Sequence, residues 1–255
     1  MAGSSGNDGC AEIPASIEDV ACTLCEDNLQ VNLKSIAAQV GIVLTVYALP
    51  LFLPAGMRFW PAGWLFLGLW FGFWLLMLGW LYKHAPALFQ ERMRVSSSDQ
   101  KGWDRLFSLL INISLFAWLL FISFDVQRFH WSPVPTWLQI VGGIILLGSF
   151  YLFFQTFREN SYLSPVVRIQ GERGQTVVST GPYAHVRHPM YSATTLVVMG
   201  APLMLGAWYG VLVGGIFVLV LARRAVLEER TLCKELSGYA AYVSHVKYRL
   251  IPFVW

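Results

Sequence analysis

The stretch Gly181-Pro-Tyr-Ala-His-Val-Arg-His-Pro-Met-Tyr191 leads into a run of 34 residues, 189–222, that has no Lys, Arg, Asp or Glu. Gly181-Pro182 favours a turn, and Pro189 suits the first turn of a new helix. The uncharged run is too long for one membrane span of roughly 20 residues and slightly short for two spans with a long loop. It therefore predicts a tight helical hairpin that turns at Leu205-Gly-Ala-Trp208.

Composition places the rest of the chain in a membrane as well. Hydrophobic residues make up 56% of the 255 residues and charged residues only 13%, whereas an average soluble domain has about 25% charged residues. Four further runs without charge are long enough to cross a bilayer, namely 35–57, 59–82, 106–124 and 131–157. Together with the hairpin they predict an all-α, polytopic membrane protein with about six transmembrane helices and a cytoplasmic C-terminal helix.

The basic residues predict the orientation, because cytoplasmic loops of membrane proteins carry an excess of Lys and Arg. If both termini are cytoplasmic, only Arg58 and Arg128 of the 18 Lys and Arg residues fall on the opposite side. This orientation puts the polar region 158–188 and the C-terminal residues at the cytoplasmic face. The membrane would be a bacterial inner membrane or the endoplasmic reticulum.

The chain begins with an acidic segment, since residues 1–33 hold six acids and no Lys or Arg. We predict a mobile tail there, followed by N-terminal transmembrane helices over 34–134 and a membrane domain with the site over 135–255. Cys10, Cys22 and Cys25 in the tail look like part of a metal knuckle. A structural zinc site usually needs four Cys or His ligands, and His84 lies beyond two spans, so we predict no metal. No nucleic-acid partner is expected either, because the basic loops fit the membrane topology.

Two groups of polar residues can carry chemistry at the cytoplasmic face. The first precedes the hairpin and consists of Asn160, Arg168, Arg173, His185, Arg187 and His188. The second follows it and consists of Arg224, Glu228 and Glu229, of which Arg224 and Glu228 are four residues apart on a helix. If the hairpin folds back, the groups meet at the mouth of a pocket with an apolar deeper wall. The plainer alternative is that the histidines are interfacial and Arg224 and Glu228 form a surface pair.

An ordered set of motifs in the C-terminal half resembles a known family. The motifs are Gly181-Pro-Tyr183, Arg187-His-Pro-Met-Tyr191, an apolar hairpin, Glu228-Glu-Arg-Thr-Leu232, and Gly238-Tyr-Ala-Ala-Tyr242 before Pro252. With them, residues from about 135 to 255 resemble the membrane methyltransferases typified by isoprenylcysteine carboxyl methyltransferase, together with the related phospholipid methyltransferases. The first two or three spans match only as hydrophobic helices.

The resemblance implies S-adenosylmethionine as the cofactor, bound in a pocket on the cytosolic side. The cofactor contacts that it implies are Arg168, Gln175, Thr176, Val177, Val178, Tyr183, His188, Pro189, Met190, Tyr191, Glu228 and Glu229. The family usually has an Arg four residues before a Glu in the last helix, and Arg224 with Glu228 is the equivalent here, which we expect to be catalytic. Arg224 would orient an anionic acceptor or pair with Glu228, and Glu228 would hold the ammonium or the ribose hydroxyls of the cofactor.

The function predicted on these grounds is methyl transfer from S-adenosylmethionine to a lipid-like or hydrophobic acceptor. A prenylcysteine carboxylate is the first choice, and a small thiol or a lipid amine is compatible. Membrane sterol reductases, which use NADPH, resemble the same C-terminal half, including an Arg-His-Pro-x-Tyr segment, although they generally carry several more spans. The other alternative is a membrane protein that keeps the fold and only binds a ligand.

Overall fold

A computed structural model describes residues 33–54, 59–93, 102–164 and 169–255. The chain divides into two compact units, 1–42 and 43–255. The first unit is described only from Leu33 onward, as part of a helix. The tail with its three cysteines lies outside the described residues, and so does Arg168.

Every regular element in the described ranges is a helix. The first half contains α1 (Leu33–Phe52), α2 (Pro61–His84), α3 (Pro86–Met93) and α4 (Gly102–Ser123), which continues into a π-helix (Phe124–Phe129). The second half contains α5 (Thr136–Glu159), α6 (Pro189–Leu205), α7 (Trp208–Glu235) and α8 (Tyr239–His245), with 3-10 turns at Gly171–Arg173 and Gly181–Ala184. The all-α prediction is confirmed.

Four of these helices are long and apolar enough to cross a membrane, namely α2, α4 with its π-helical end, α5 and α7. Two apolar segments are shorter, Gly41–Phe52 and Pro189–Leu205. Large apolar side chains lie exposed along the long helices, as at Leu76 (77% exposed) and Leu219 (71% exposed). An exposed apolar surface of this kind suits contact with acyl chains rather than water. The protein is therefore a multi-pass membrane protein, with an apolar helix at each of the six predicted spans.

Helices α5 and α6 approach closely because glycines lie at their contact. A β-carbon at Gly142 would lie 2.5 Å from the backbone nitrogen of Met204, and one at Gly200 would lie 2.8 Å from the carbonyl oxygen of Gly142. Small residues of this kind let membrane helices bring their backbones together. This contact fixes α6, which begins at the polar stretch, against α5.

The predicted hairpin is present as α6 and α7, joined by Gly206 and Ala207. Gly206 has a φ of +100°, a conformation that favours glycine, and the N–H groups of both residues donate to the carbonyl oxygen of Pro202. Further along, a β-carbon at Gly214 would lie 2.5 Å from the carbonyl oxygen of Val198. The two helices therefore pack as a tight pair from the turn onward.

A buried acid stabilises the end of the molecule at which this hairpin turns. Asp125, which is 1% exposed, accepts hydrogen bonds from the backbone N–H of Ser132 at 2.9 Å and from its hydroxyl. The Ser132 hydroxyl oxygen in turn accepts the N–H of Tyr209 at 3.0 Å. The carboxylate thus ties the π-helix to the start of α7.

Three details differ from the sequence-based expectation. The polar connection 83–105 contains α3, which its composition does not predict. Helix α5 begins at Thr136 rather than Trp131. A helix that began at Trp131 would need backbone N–H groups at positions 133 and 135, and proline has none. Helix α7 runs unbroken for 28 residues, so the predicted acidic pair lies on the second helix of the hairpin and not on a separate last helix.

Replacing Gly142 by Ala should push α5 and α6 apart and destabilise the protein. We expect Gly142→Ala to lower the midpoint of thermal unfolding in detergent by about 3 °C or more, since overpacking typically costs about 1–3 kcal/mol. The control is Gly148→Ala on the same helix, where a β-carbon meets nothing within 4 Å. Intrinsic tryptophan fluorescence measures both midpoints, and equal shifts would contradict the close contact.

Candidate functional site

A cleft opens where the ends of α5, α6 and α7 meet the loop that joins α5 to α6, and α8 closes one side. It encloses about 940 Å³, including its open mouth. Eleven of the predicted site residues line it: Gln175, Thr176, Val177, Val178, Tyr183, His188, Pro189, Met190, Tyr191, Arg224 and Glu228. The fold thus brings together loop and helix residues that are up to 53 positions apart in sequence.

Two predicted site residues are not in that set. Arg168 lies outside the described residues. Glu229 is absent from the lining, and its carboxylate is directed to a buried cluster of basic side chains.

The polar stretch enters the site through a turn that only glycine fits well. Gly181 has a φ of +56°, and a β-carbon there would lie 2.5 Å from the side chain of Glu159 at the end of α5. The adjacent Thr180 hydroxyl donates to that same Glu159 carboxylate at 2.8 Å. Pro189 is the first residue of α6, where a missing N–H costs nothing.

The C-terminal segment pairs with the residues that precede α6. The backbone N–H groups of Arg187 and His188 donate to the carbonyl oxygens of Tyr248 and Arg249, each at 2.9 Å. These two bonds satisfy donors at the buried start of α6. They also hold the side chains of Arg187 and Arg249 close to one position on α7.

That position is Glu229, which is 6% exposed. Its carboxylate lies 2.7 Å from Nε of Arg187, 2.9 Å from Nε of Arg249 and 3.2 Å from Nε2 of His188. A buried carboxylate is tolerated only when its charge is compensated in this way. Glu229 therefore fastens the start of α6 and the C-terminal segment to α7.

The neighbouring acid, Glu228, lines the cleft instead. Successive residues on a helix point about 100° apart, so the two carboxylates diverge. Glu228 accepts a hydrogen bond of 2.6 Å from the hydroxyl of Tyr191, whose ring also stacks on His188. A carboxylate held by a neutral donor keeps its charge for a further partner in the cleft.

Arg224, one turn before Glu228, has a partner that the sequence did not predict. Its Nη2 lies 2.7 Å from a carboxylate oxygen of Asp104 on α4, a residue that is fully buried. The guanidinium also lies over the rings of Phe107 and Tyr191, 4.9 and 5.8 Å from their centres. The direct ion pair of Arg224 is thus with Asp104, and the charge of Glu228 lies close enough to attract the same guanidinium.

Tyr183 is held from two sides. Its hydroxyl accepts a hydrogen bond of 2.8 Å from Nδ2 of Asn160, and its carbonyl oxygen accepts one of 2.7 Å from the hydroxyl of Tyr242. Burial raises the pKa of Tyr183 well above that of an ordinary phenol and raises the pKa of Tyr242 to about 12. Both phenols therefore stay protonated at physiological pH and act as neutral, rigid parts of the wall.

Tyr239 also lines the cleft, and its hydroxyl makes no hydrogen bond to the described residues. The side chain is 5% exposed, and the buried hydroxyl has no hydrogen-bond partner among the described residues. Burial, together with the charges of Glu229 and Glu228, raises the pKa of this phenol, so the hydroxyl is protonated. An unpaired buried hydroxyl is unfavourable, so this one is suited to a polar group of a bound molecule.

Some residues at the site were given no role by the sequence analysis, among them Tyr239 and Tyr242, which line the cleft, and Asp104, which contacts Arg224. The two tyrosines belong to the Gly238–Tyr242 motif, which contributed to the resemblance without a role of its own. Asp104 stands two residues before the uncharged run 106–124, and an acid at the edge of a membrane helix usually has a partner. That signal was available in the sequence, although the partner was not.

The two adjacent acids should differ in their effect on stability. Glu229→Gln leaves Arg187 and Arg249 without their charged partner, and breaking a buried pair typically costs about 3–5 kcal/mol. We expect its unfolding midpoint in detergent to fall by about 6 °C or more and that of Glu228→Gln to fall by clearly less. Tryptophan fluorescence on heating measures both variants. A larger loss for Glu228→Gln would contradict the assignment of Glu229 to the structural cluster.

A comparison with known families adds to this geometry. Residues 137–237 match the family model described as phospholipid methyltransferase. The match includes the polar stretch, the hairpin and both acids, but it ends before Tyr239 and leaves out Asp104. A search of curated proteins found no match. The resemblance seen in the sequence is thus confirmed over residues 137–237, which are similar to phospholipid methyltransferases.

Proposed function

We propose that the protein transfers a methyl group from S-adenosylmethionine to a lipid-like or hydrophobic acceptor and that the cleft holds the cofactor. One observation carries the proposal: ten of the twelve residues that the family resemblance implies as cofactor contacts line one cleft at the ends of long apolar helices. The family match supports methyl transfer in a membrane. The identities of the cofactor and of the acceptor go beyond this match and are part of the proposal.

The residues of the cleft fit S-adenosylmethionine chemically. Glu228 offers a carboxylate for the ammonium or the ribose hydroxyls, and charge-assisted hydrogen bonds of this type are the strong ones. The buried Tyr239 hydroxyl offers a donor that has no partner among the described residues. Val177, Val178 and Leu232 add apolar wall suitable for the faces of an adenine ring.

S-adenosylmethionine supplies a methyl group that its sulfonium centre has already activated. The task of the chain is therefore to align the acceptor and exclude water. Arg224, held over the Tyr191 ring at the cleft wall, provides a guanidinium that would orient an anionic acceptor group such as a carboxylate. Neither role requires a nucleophilic side chain.

The acceptor is proposed as a prenylcysteine carboxylate, with a small thiol or a lipid amine as the next candidates. The order of these three follows the family resemblance, because the charge of Arg224 is already compensated by Asp104. A lipid-like acceptor would enter from the bilayer between helices. With both termini in the cytoplasm, as the basic residues predict, transfer takes place at the cytoplasmic face.

Cofactor binding tests the proposal directly. Calorimetric titration of the detergent-purified protein should show micromolar binding of S-adenosylmethionine and S-adenosylhomocysteine and none of NADPH. The thermal unfolding midpoint, measured on the same preparation, controls for a site damaged by detergent. Binding of NADPH alone by the folded protein would move it to the reductase class. If the folded protein binds none of the three compounds, only a role as a non-catalytic ligand-binding protein is left.

Tyr191→Phe should distinguish the contribution of the Tyr191 hydroxyl to cofactor binding from that of its ring. The substitution removes the 2.6 Å hydrogen bond to Glu228 and keeps the stacking on His188. We expect affinity for S-adenosylmethionine to fall by about threefold to tenfold, because Glu228 loses the donor that positions it. Tyr209→Phe, at the opposite end of the hairpin, is the matched control and should bind normally. Equal affinity for the wild type and Tyr191→Phe would remove this hydrogen bond from the site.

A further inference from the structure

An ion pair connects the cleft to a helix outside the segment that matches the family. Asp104 lies in the first turn of α4 and is fully buried, and its carboxylate is 2.7 Å from Nη2 of Arg224. Phe107, three residues further along α4, packs its ring against the same guanidinium. The centre of the ring is 4.9 Å from Cζ of Arg224. Helix α4 therefore supplies both a charge and an aromatic face to one side chain of the cleft.

Without the contacts from Asp104 and Phe107, Arg224 could pair with Glu228 instead. Glu228 stands four residues further along α7, the spacing at which an Arg and a Glu on one helix pair readily. In the described part of the chain, however, the contact of the Glu228 carboxylate is the Tyr191 hydroxyl. The direct contacts of the two residues thus differ, Asp104 for the cation and Tyr191 for the anion, while their charges still attract each other.

The partner of Glu228 determines how strongly its carboxylate attracts a cation in the cleft. A carboxylate that is paired with a guanidinium loses most of its attraction for a second cation, whereas one that accepts a neutral hydroxyl retains it. The difference is large in a partly buried cleft, where the effective dielectric constant is well below that of water. Glu228 therefore attracts a cationic cofactor more strongly while Arg224 is paired with Asp104 than it would in a direct ion pair with Arg224.

We propose that Asp104 is a positioning residue that holds Arg224 away from Glu228 and so keeps the Glu228 carboxylate available for the positively charged part of the cofactor. The proposal rests on the proposed function, because it needs a cationic ligand in the cleft. It also gives α4, which lies outside the matched segment, a defined part in the site. Asp104 acts through Arg224 and does not itself line the cleft.

A double-mutant cycle tests this inference. Affinity for S-adenosylmethionine is measured by calorimetry for the wild type, Asp104→Asn, Glu228→Gln and the double variant. We expect Asp104→Asn to lower the affinity by about tenfold and to have almost no further effect in the Glu228→Gln background, because no carboxylate is left there for Arg224 to occupy. Asp104→Glu should recover most of the affinity, since it restores the acid.

The matched control is Asp125→Asn, which alters an equally buried acid at the opposite end of the molecule and should leave cofactor affinity unchanged. If Asp104→Asn lowers affinity equally in both backgrounds, or if Asp125→Asn lowers it as much, Asp104 has only a structural role and the inference fails. Unchanged affinity in Asp104→Asn overturns it as well. A folded wild type that does not bind the cofactor would overturn the proposed function and this inference with it.

Discussion

The buried carboxylate of Glu229 compensates two guanidinium groups that come from different parts of the chain. Arg187 precedes α6 and Arg249 follows α8, and the backbones of their segments are hydrogen bonded to each other. Because a buried charge is tolerated only with its partners in place, all three segments must assemble together. One wall of the cleft therefore exists only when the C-terminal residues are docked, and the tight α5–α6 and α6–α7 contacts give that assembly a fixed base.

Two adjacent acids on α7 thus serve different ends. Glu229 points into the protein and Glu228 into the cleft, a consequence of the 100° step between helical neighbours. In the function proposed here, the inner acid shapes the site and the outer acid binds the ligand. Asp104 extends this arrangement to α4, since it engages the cation that could otherwise neutralise Glu228. Helix α4 then contributes to the site as well as to the membrane anchor.

Local sequence signals predicted most of the fold. The charge-free run with Gly206 near its centre was sufficient for the hairpin, and ordered motifs were sufficient to select residues that do line one cleft. Partner choice was not predictable, because Asp104 and Arg224 are 120 residues apart and any of several acids could satisfy a guanidinium by sequence alone. The pairing of Arg187 with Tyr248 was missed for the same reason. Backbone hydrogen bonds between distant segments have no local pattern.

The central claim is that the cleft binds the methyl donor, and the most direct measurement locates that contact. S-adenosylmethionine with a tritiated methyl group is cross-linked to the detergent-purified protein by ultraviolet light, and the labelled peptides are identified by mass spectrometry. The account predicts label in peptides that contain the cleft residues 175–191 or 224–242, and loss of that label when unlabelled S-adenosylhomocysteine is added in excess. Competed labelling confined to other parts of the chain would contradict it.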